Sequence, residues 1–221
     1  GTAAVSLVGC FQKSSVSVAN SATQTQSIPG CVVKPEQTEG PYFVDEKLNR
    51  SDIRTDPSDN SVKPGLPLRL VFQVSQLSDR TCVPLSDAIV DVWHCDAEGV
   101  YSDVADRRSN TVGKKFLRGY QTTDATGKAE FTTIYPGWYP GRTVHIHFKI
   151  RTNTGAEFTS QLYFDDAITN QVHAQAPYSA KGQRNQRNES DGIFQGGGDQ
   201  LFLQLSQENE GYLGRFEIAL A

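Results

Sequence analysis

The sequence predicts an all-β fold, a β-sandwich of mixed or antiparallel strands joined by long loops. Apolar and polar residues alternate with a period of two in several short segments, as on strands that are buried on one face. The 221 residues include 19 Gly and 10 Pro, and few segments show helical periodicity, so turns and loops are numerous. Many short strands at this spacing are typical of a sandwich or a barrel.

The first predicted strands are separated by two short turns. Residues 66–76 (LPLRLVFQVSQ) alternate apolar and polar side chains. A turn at residues 78–81 leads to a returning strand over residues 88–94 (AIVDVWH). The segment 124–127 (DATG) predicts a second turn, because Asp and Gly favour turn geometry, and a strand over residues 129–133 follows it.

The second half of the chain continues this pattern. Residues 144–152 (VHIHFKIRT) alternate again, and Gly155 marks the turn into a strand over residues 157–164. A short helix is predicted for residues 165–175 and a long loop for residues 177–198. The last two strands are predicted for residues 201–206 and 212–219, with a hairpin turn at residues 209–211 between them.

Composition divides the chain into an arm and one domain. Residues 11–30 are rich in Ser, Gln and Thr, so we expect residues 1–34 to form an extended N-terminal arm and residues 35–221 to form the domain. The net charge of −4 and the absence of a basic cluster argue against a nucleic-acid partner. No run approaches the roughly 18 apolar residues of a membrane span, which argues against a membrane partner.

The cysteines and two glycosylation sequons bear on the compartment. Cys10, Cys31, Cys82 and Cys95 show no metal-binding spacing and could form two disulfides. A strand over residues 87–95 would separate Cys82 from Cys95 by about 26 Å, so we expect Cys31 to pair with Cys82 or with Cys95. With sequons at Asn49 and Asn188, this pattern predicts an extracellular, secreted protein.

The strongest local motif for chemistry is His145-Ile146-His147. On a strand, residues i and i+2 share a face about 6.6–7 Å apart, so both imidazoles could bind one metal ion. A pair of exposed or core histidines is the simpler alternative. The Pro- and Gly-rich segment before the motif carries Tyr135, Tyr139 and Arg142. Imidazole nitrogens together with phenolate oxygens favour Fe(III) over metals that prefer soft ligands.

Four ordered segments resemble the intradiol ring-cleavage dioxygenases, in particular the short secreted branch of that family. They are residues 38–42 (TEGPY), 90–102 (VDVWHCDAEGVYS), 136–148 (PGWY, Arg142 and HIHF) and 158–161 (FTSQ). The resemblance implies a β-sandwich whose long loops carry a mononuclear, non-haem Fe(III). It also implies an oxidoreductase that inserts both atoms of O2 into a catechol, between the two hydroxyl-bearing carbons, to give cis,cis-muconate-type products.

The resemblance assigns roles to individual residues. Two tyrosines and two histidines hold the metal, Tyr139 also acts in catalysis as a proton acceptor, Arg142 and Gln161 are catalytic, and three early residues line the substrate pocket. The implied metal ligands are Tyr101, Tyr139, His145 and His147, and the implied pocket residues are Thr38, Pro41 and Tyr42. The expected partners are a catecholic substrate and O2. The helical linker of dimeric relatives has no counterpart here, so we expect a monomer.

Several alternatives remain open on the sequence alone. Tyr135 could replace Tyr139 as the second tyrosine ligand, although the Pro-Gly-x-Tyr register favours Tyr139. A secreted zinc hydrolase or hydratase would need a third histidine, His94 or His173, both of which we interpret as structural. A secreted β-sandwich module that binds its partner without a metal is the non-enzymatic alternative.

Overall fold

The computed structural model describes residues 1–2, 31–79, 81–107 and 109–221. The predicted arm and Cys10 therefore lie largely outside the described residues. The strands are β1 (Pro67–Ser78), β2 (Thr81–Pro84), β3 (Ile89–Trp93), β4 (Arg118–Thr122), β5 (Lys128–Ile134), β6 (His145–Arg151), β7 (Glu157–Tyr163), β8 (Gln204–Glu208) and β9 (Gly211–Leu220). The helices are α1 (Asp166–His173) and three short 3-10 helices, Tyr178–Lys181, Asn188–Ser190 and Gly198–Gln200.

The strands form two sheets that share one apolar core. In the first sheet, β1 pairs antiparallel with β2 and β5 and parallel with β9, and β9 pairs antiparallel with β8. The second sheet is antiparallel throughout, in the order β4-β3-β6-β7. The predicted all-β sandwich of mixed and antiparallel strands is confirmed.

Strand β6 separates the core from the functional residues. Ile146, Phe148 and Ile150 belong to the core between the sheets. Because side chains alternate along a strand, His145 and His147 point to the opposite, outer face of the second sheet. Both histidines are nevertheless only 2% exposed, so another part of the chain must cover that face.

Residues 37–45 provide part of this cover, and a Cβ atom on Gly40 would lie 3.3 Å from Cε1 of His147. The backbone N–H of Gln37 donates to the carbonyl oxygen of Thr159 on β7 at 3.0 Å. Farther along, the ammonium group of Lys149 on β6 pairs with the Glu39 carboxylate at 2.5 Å. The candidate residues therefore lie in a closed layer outside the sheet rather than between the two sheets.

Strands β2, β4 and β8 differ from the sequence predictions. Strands β2 and β4 were not predicted, because β2 has only four residues and β4 (RGYQT) is mostly polar. Strand β8 begins at Gln204 rather than at residue 201. Within the described part of the chain, no helix is long and apolar enough to cross a membrane.

The structure decides between the two cysteine pairings that the sequence left open. Cys31 and Cys82 form a disulfide with a Cα–Cα distance of 5.3 Å. Cys95 is a buried free thiol, so the alternative pairing of Cys31 with Cys95 is wrong. The bridge joins Cys31, in the segment that precedes the predicted domain, to Cys82 on edge strand β2, whereas Cys95 follows β3 of the second sheet.

Candidate metal centre

Tyr101, Tyr139, His145 and His147 converge on the outer face of the second sheet. The Nε2 atoms of the two histidines are 3.0 Å apart. The hydroxyl oxygens of Tyr139 and Tyr101 lie 3.1 Å and 3.4 Å from Nε2 of His145. All four residues are at most 8% exposed. The structure thus brings all four candidate ligands together in a site that largely excludes solvent.

Two loops that pack backbone to backbone bring the tyrosines to the histidines. One loop follows β3 and the other precedes β6. Gly99 has a φ of +78°, and a Cβ atom there would lie 2.1 Å from the carbonyl oxygen of Trp138. A Cβ on Gly137 would lie 2.3 Å from the carbonyl oxygen of Ala97. Only glycine fits at these contacts. Gly99 and Gly137 therefore allow the two loops to pack together, although neither residue is a candidate ligand.

Burial disfavours the charged forms of the four side chains. Burial raises the pKa values of Tyr101 and Tyr139 above the usual range. Burial, together with the nearby positive charge of Arg142, lowers the pKa of His145 to about 3. The Nδ1 atom of His145 lies 2.6 Å from a backbone carbonyl oxygen, which can only accept, so Nδ1 carries the hydrogen and the Nε2 lone pair faces the centre.

This donor set fits a ferric ion. Ligand atoms bound to one ion at about 2.1 Å and at right angles lie about 3 Å apart, as these nitrogen and oxygen atoms do. Among the described residues, no group of three or more His, Cys, Asp or Glu is placed to hold a metal. At this centre the two tyrosine oxygens are the donors that accompany the histidines. A trivalent cation favours ionised phenols, and two phenolates offset two of its three charges.

Comparison with known proteins identifies the family. A family model described as Dioxygenase matches residues 38–187. The solved intradiol ring-cleavage dioxygenase from Tetranychus urticae has a TM-score of 0.75 at 30% identity, with 86% of this chain and 94% of that chain covered. The chain belongs to the intradiol ring-cleavage dioxygenases.

Other relatives come from bacteria. The dioxygenase domain of a dioxygenase–carbohydrate-binding fusion from Streptomyces sp. SirexAA-E has a TM-score of 0.62 at 31% identity and covers 85% of this chain and 97% of that chain. The protocatechuate 3,4-dioxygenase beta chain of Burkholderia cepacia is 33% identical over 119 residues, which are 49% of this chain and 51% of that relative. The matches span only about half the length of such curated relatives.

The other two histidines of this intradiol dioxygenase lie away from the centre. The Nδ1 atom of His94 is 2.8 Å from the carbonyl oxygen of Cys95, and its Nε2 atom is 2.7 Å from the Thr133 hydroxyl. The Nε2 atom of His173 donates to the carbonyl oxygen of Pro136 at 3.0 Å. Neither ring joins His145, so the three-histidine zinc site considered above is not assembled.

Tyr135 also lies outside the centre. Its ring is fully buried and packs against Phe164, with ring centroids 4.3 Å apart. Its hydroxyl lies 2.7 Å from the Thr169 hydroxyl on α1. Tyr139, and not Tyr135, is therefore the tyrosine of this loop that faces the histidines.

Arg142 and Gln161 form a polar network at one side of the centre. Nη1 of Arg142 lies 3.5 Å from Nε2 of His145. Nη2 donates to Oε1 of Gln161 at 2.6 Å, and Nε donates to Oδ2 of Asp191 at 2.9 Å. Nε2 of Gln161 in turn donates to the carbonyl oxygen of Thr38 at 2.9 Å. Gln161 therefore contacts Arg142 directly and holds its guanidinium beside the centre.

A cavity of about 220 Å³ adjoins the two tyrosines. Tyr42 lines it and stacks on Tyr101 with ring centroids 4.5 Å apart. Of the other two predicted pocket residues, Pro41 is exposed and Thr38 contributes its carbonyl oxygen to Gln161. Neither of them lines this cavity.

Sequence reasoning missed two residues that support the site. The ring of Trp93 lies parallel to that of His147, with an interplanar angle of 7° and centroids 5.0 Å apart. Asp191 is 1% exposed and pairs with Arg142. Trp93 lies on a strand that the sequence predicts, but its place beside His147 follows only from the pairing of β3 with β6. Asp191 lies in an irregular segment with no local signal.

Proposed function

We propose that this protein cleaves a catechol between its two hydroxyl-bearing carbons, with incorporation of both atoms of O2, to give a cis,cis-muconate-type product. We infer that the cofactor is a mononuclear, non-haem Fe(III) bound by Tyr101, Tyr139, His145 and His147. The convergence of these four donors at 3.0–3.4 Å, in a chain of this family, is the observation that carries the proposal. The names of relatives, such as chlorocatechol 1,2-dioxygenase, support the substrate class.

The chain's own residues would bind and orient the substrate. Fe(III) supplies Lewis-acid chemistry that lets an electron-rich catechol react with O2. The cavity beside Tyr101 accommodates an aromatic ring, and Tyr42 forms one of its walls. The Tyr139 oxygen, once ionised, is the base that would accept a proton from a catechol hydroxyl.

Arg142 would stabilise negative charge that develops on the substrate. Burial acts to lower its pKa, but the negative charges of the Tyr139 phenolate, once that tyrosine is ionised, and of the Asp191 carboxylate outweigh burial and raise the pKa above its usual value. The guanidinium therefore stays charged, and Gln161 and Asp191 fix its direction. A fixed charge in a site with little solvent is an effective electrostatic contribution to catalysis.

Colour and oxygen uptake test the proposal together. The iron-loaded protein is expected to be reddish, because tyrosinate-to-Fe(III) charge transfer absorbs visible light. With catechol, protocatechuate and hydroxyquinol as substrates, one O2 should be consumed for each ring cleaved, with a dicarboxylic product. A colourless iron-loaded protein, or an aldehyde-containing product from cleavage beside the hydroxyls, would overturn the proposal.

We also propose that the protein works outside the cell as a monomer. The Cys31–Cys82 disulfide supports an oxidising compartment. Among the described residues, only six large apolar side chains are exposed, five of them valines, which fits a surface without a subunit interface. Detection in culture medium of the native source and light scattering of the purified protein test these two points.

A further inference from the structure

Thr143 is held at three points just before the two candidate histidine ligands. Its backbone N–H donates to Oδ2 of Asp191 at 2.7 Å, and its hydroxyl donates to Oδ1 of Asn188 at 2.6 Å. Its carbonyl oxygen accepts the hydrogen bond from Nδ1 of His145 at 2.6 Å. Thr143 thus connects the segment 188–191 to the imidazole of His145.

Asp191 holds Arg142 with the same carboxylate. Oδ2 accepts from Nε of Arg142 at 2.9 Å as well as from the Thr143 N–H. Oδ1 accepts from the backbone N–H groups of Ile193 and Phe194 at 2.8 and 3.1 Å. Asp191, whose carboxylate accepts all four hydrogen bonds, is 1% exposed. Its position is therefore determined by the fold and not by solvent.

We propose that Asp191 is a positioning residue that presents His145 and Arg142 to the centre together. By fixing Thr143, it keeps the carbonyl that places the hydrogen of His145 on Nδ1 and leaves Nε2 as the donor atom. By accepting from Nε of Arg142, it directs the other end of the guanidinium toward the centre. The effect on turnover rests on the proposed function, but the effect on the histidine tautomer does not.

Asp191→Asn is the direct test, because it keeps the shape and removes the charge. An amide has one acceptor oxygen, so one of the two pairs of donors must face an NH2 group. In the iron-free full-length protein, 15N NMR is expected to show the Nε2–H tautomer of His145, which is minor in the wild type. Iron affinity and kcat/KM are expected to fall about 10–100-fold, as for other residues that orient metal ligands.

Asp56→Asn is the matched control. Asp56 is also fully buried and accepts from two backbone N–H groups, those of Ser58 and Lys115, but it contacts none of the residues at the centre. It should lose comparable stability while His145 keeps its tautomer. If Asp191→Asn retains the wild-type tautomer and stays within twofold of this control in iron affinity, the proposal is overturned.

Thr143 provides a second test should Asp191→Asn fail to fold. Thr143→Val removes the hydroxyl that binds Asn188, and Thr143→Ser restores it. The valine variant should shift the His145 tautomer and weaken iron binding, and the serine variant should recover both. Equal behaviour of the two variants would contradict the step on which the proposal depends, namely that fixing Thr143 to the segment 188–191 sets the tautomer of His145. A wild-type protein that binds iron but cleaves no catechol would overturn the proposed function alone, since the NMR result would still decide the role of Asp191.

Discussion

Two of the candidate metal ligands, His147 and Tyr101, each pack against an aromatic ring that limits their orientation. The indole of Trp93 lies parallel to the imidazole of His147, and the ring of Tyr42 stacks on Tyr101. A flat neighbour limits rotation of the ligand ring, so its direction is set before any metal binds. Strand register explains the first pair, since Trp93 on β3 is the direct partner of His147 on β6.

Replacement of Tyr139 separates its roles as ligand and base. Tyr139→Phe keeps the ring but removes the oxygen that lies 3.1 Å from Nε2 of His145. The three other donors remain, so we expect residual iron and an altered visible absorption band. Because the proton acceptor is lost, turnover should fall about 10²-fold or more, the usual scale for general-base help. Iron analysis, visible spectra and oxygen uptake measure these three effects.

Tyr135→Phe is the control for this experiment. It removes a hydroxyl that contacts only Thr169 among the hydrogen bonds described for it, at an expected loss of about 1 kcal/mol in the free energy of unfolding. Colour and turnover should be retained. If instead Tyr135→Phe loses its colour and Tyr139→Phe keeps it, the assignment of the second tyrosine is wrong.

At the level of elements, strand β6 can be predicted from the sequence, whereas the position of the segment 37–45 that covers it cannot. The period of two in β6 predicts that His145 and His147 share a face, and the structure has them 3.0 Å apart at Nε2. Which face is functional depends on the segment 37–45, about 100 residues earlier. The TEGPY motif in that segment indicates a pocket through the family resemblance, but no local pattern places the segment over this face of β6. The tyrosines were assigned through family motifs. Asp191 was not found, because irregular segments have no periodicity to read.

Lys149 should determine how firmly the segment 37–45 covers the site. Its ammonium group pairs with Glu39 and lies 4.4 Å from the ring centroid of Phe43. Lys149→Met keeps the apolar stem and removes the charge, which for such a partly exposed pair costs about 1 kcal/mol. We expect hydrogen exchange at the Gln37 amide to accelerate about fivefold and KM to rise a few-fold with kcat little changed.

Lys128→Met is the matched variant on the first sheet. Lys128 pairs with Glu130 at 2.7 Å and has no contact with the covering segment. It should lose similar stability without any change in KM. An equal rise in KM in both variants would show that the Lys149 effect is not specific to the covering segment.

For the molecule as a whole, the fold distinguishes the two glycosylation sequons. Asn49 is exposed. Asn188 is buried, its Nδ2 donates to the Phe164 carbonyl oxygen at 2.8 Å and its Oδ1 accepts from the Thr143 hydroxyl. A glycan on Asn188 is incompatible with these contacts, so a protein made in a glycosylating secretory pathway should carry its glycan on Asn49 alone. Peptide mass spectrometry tests this, Asn49→Gln should abolish the modification, and a native protein glycosylated at Asn188 would contradict it.

The disulfide should stabilise the domain without serving the active centre. Cys31 and Cys82 are 51 residues apart in sequence and meet at edge strand β2 of the first sheet, whereas the centre lies outside the second sheet. A bridge of this kind contributes about 2–4 kcal/mol, so reduction should lower Tm by about 10 °C and leave colour and turnover intact below the transition. The double variant Cys31→Ser/Cys82→Ser should have the same Tm as the reduced protein, and reductant should not change that Tm. Loss of colour on reduction at unchanged Tm would instead connect a cysteine to the centre, and Cys95, whose thiol pKa is raised by burial, would be the first to examine.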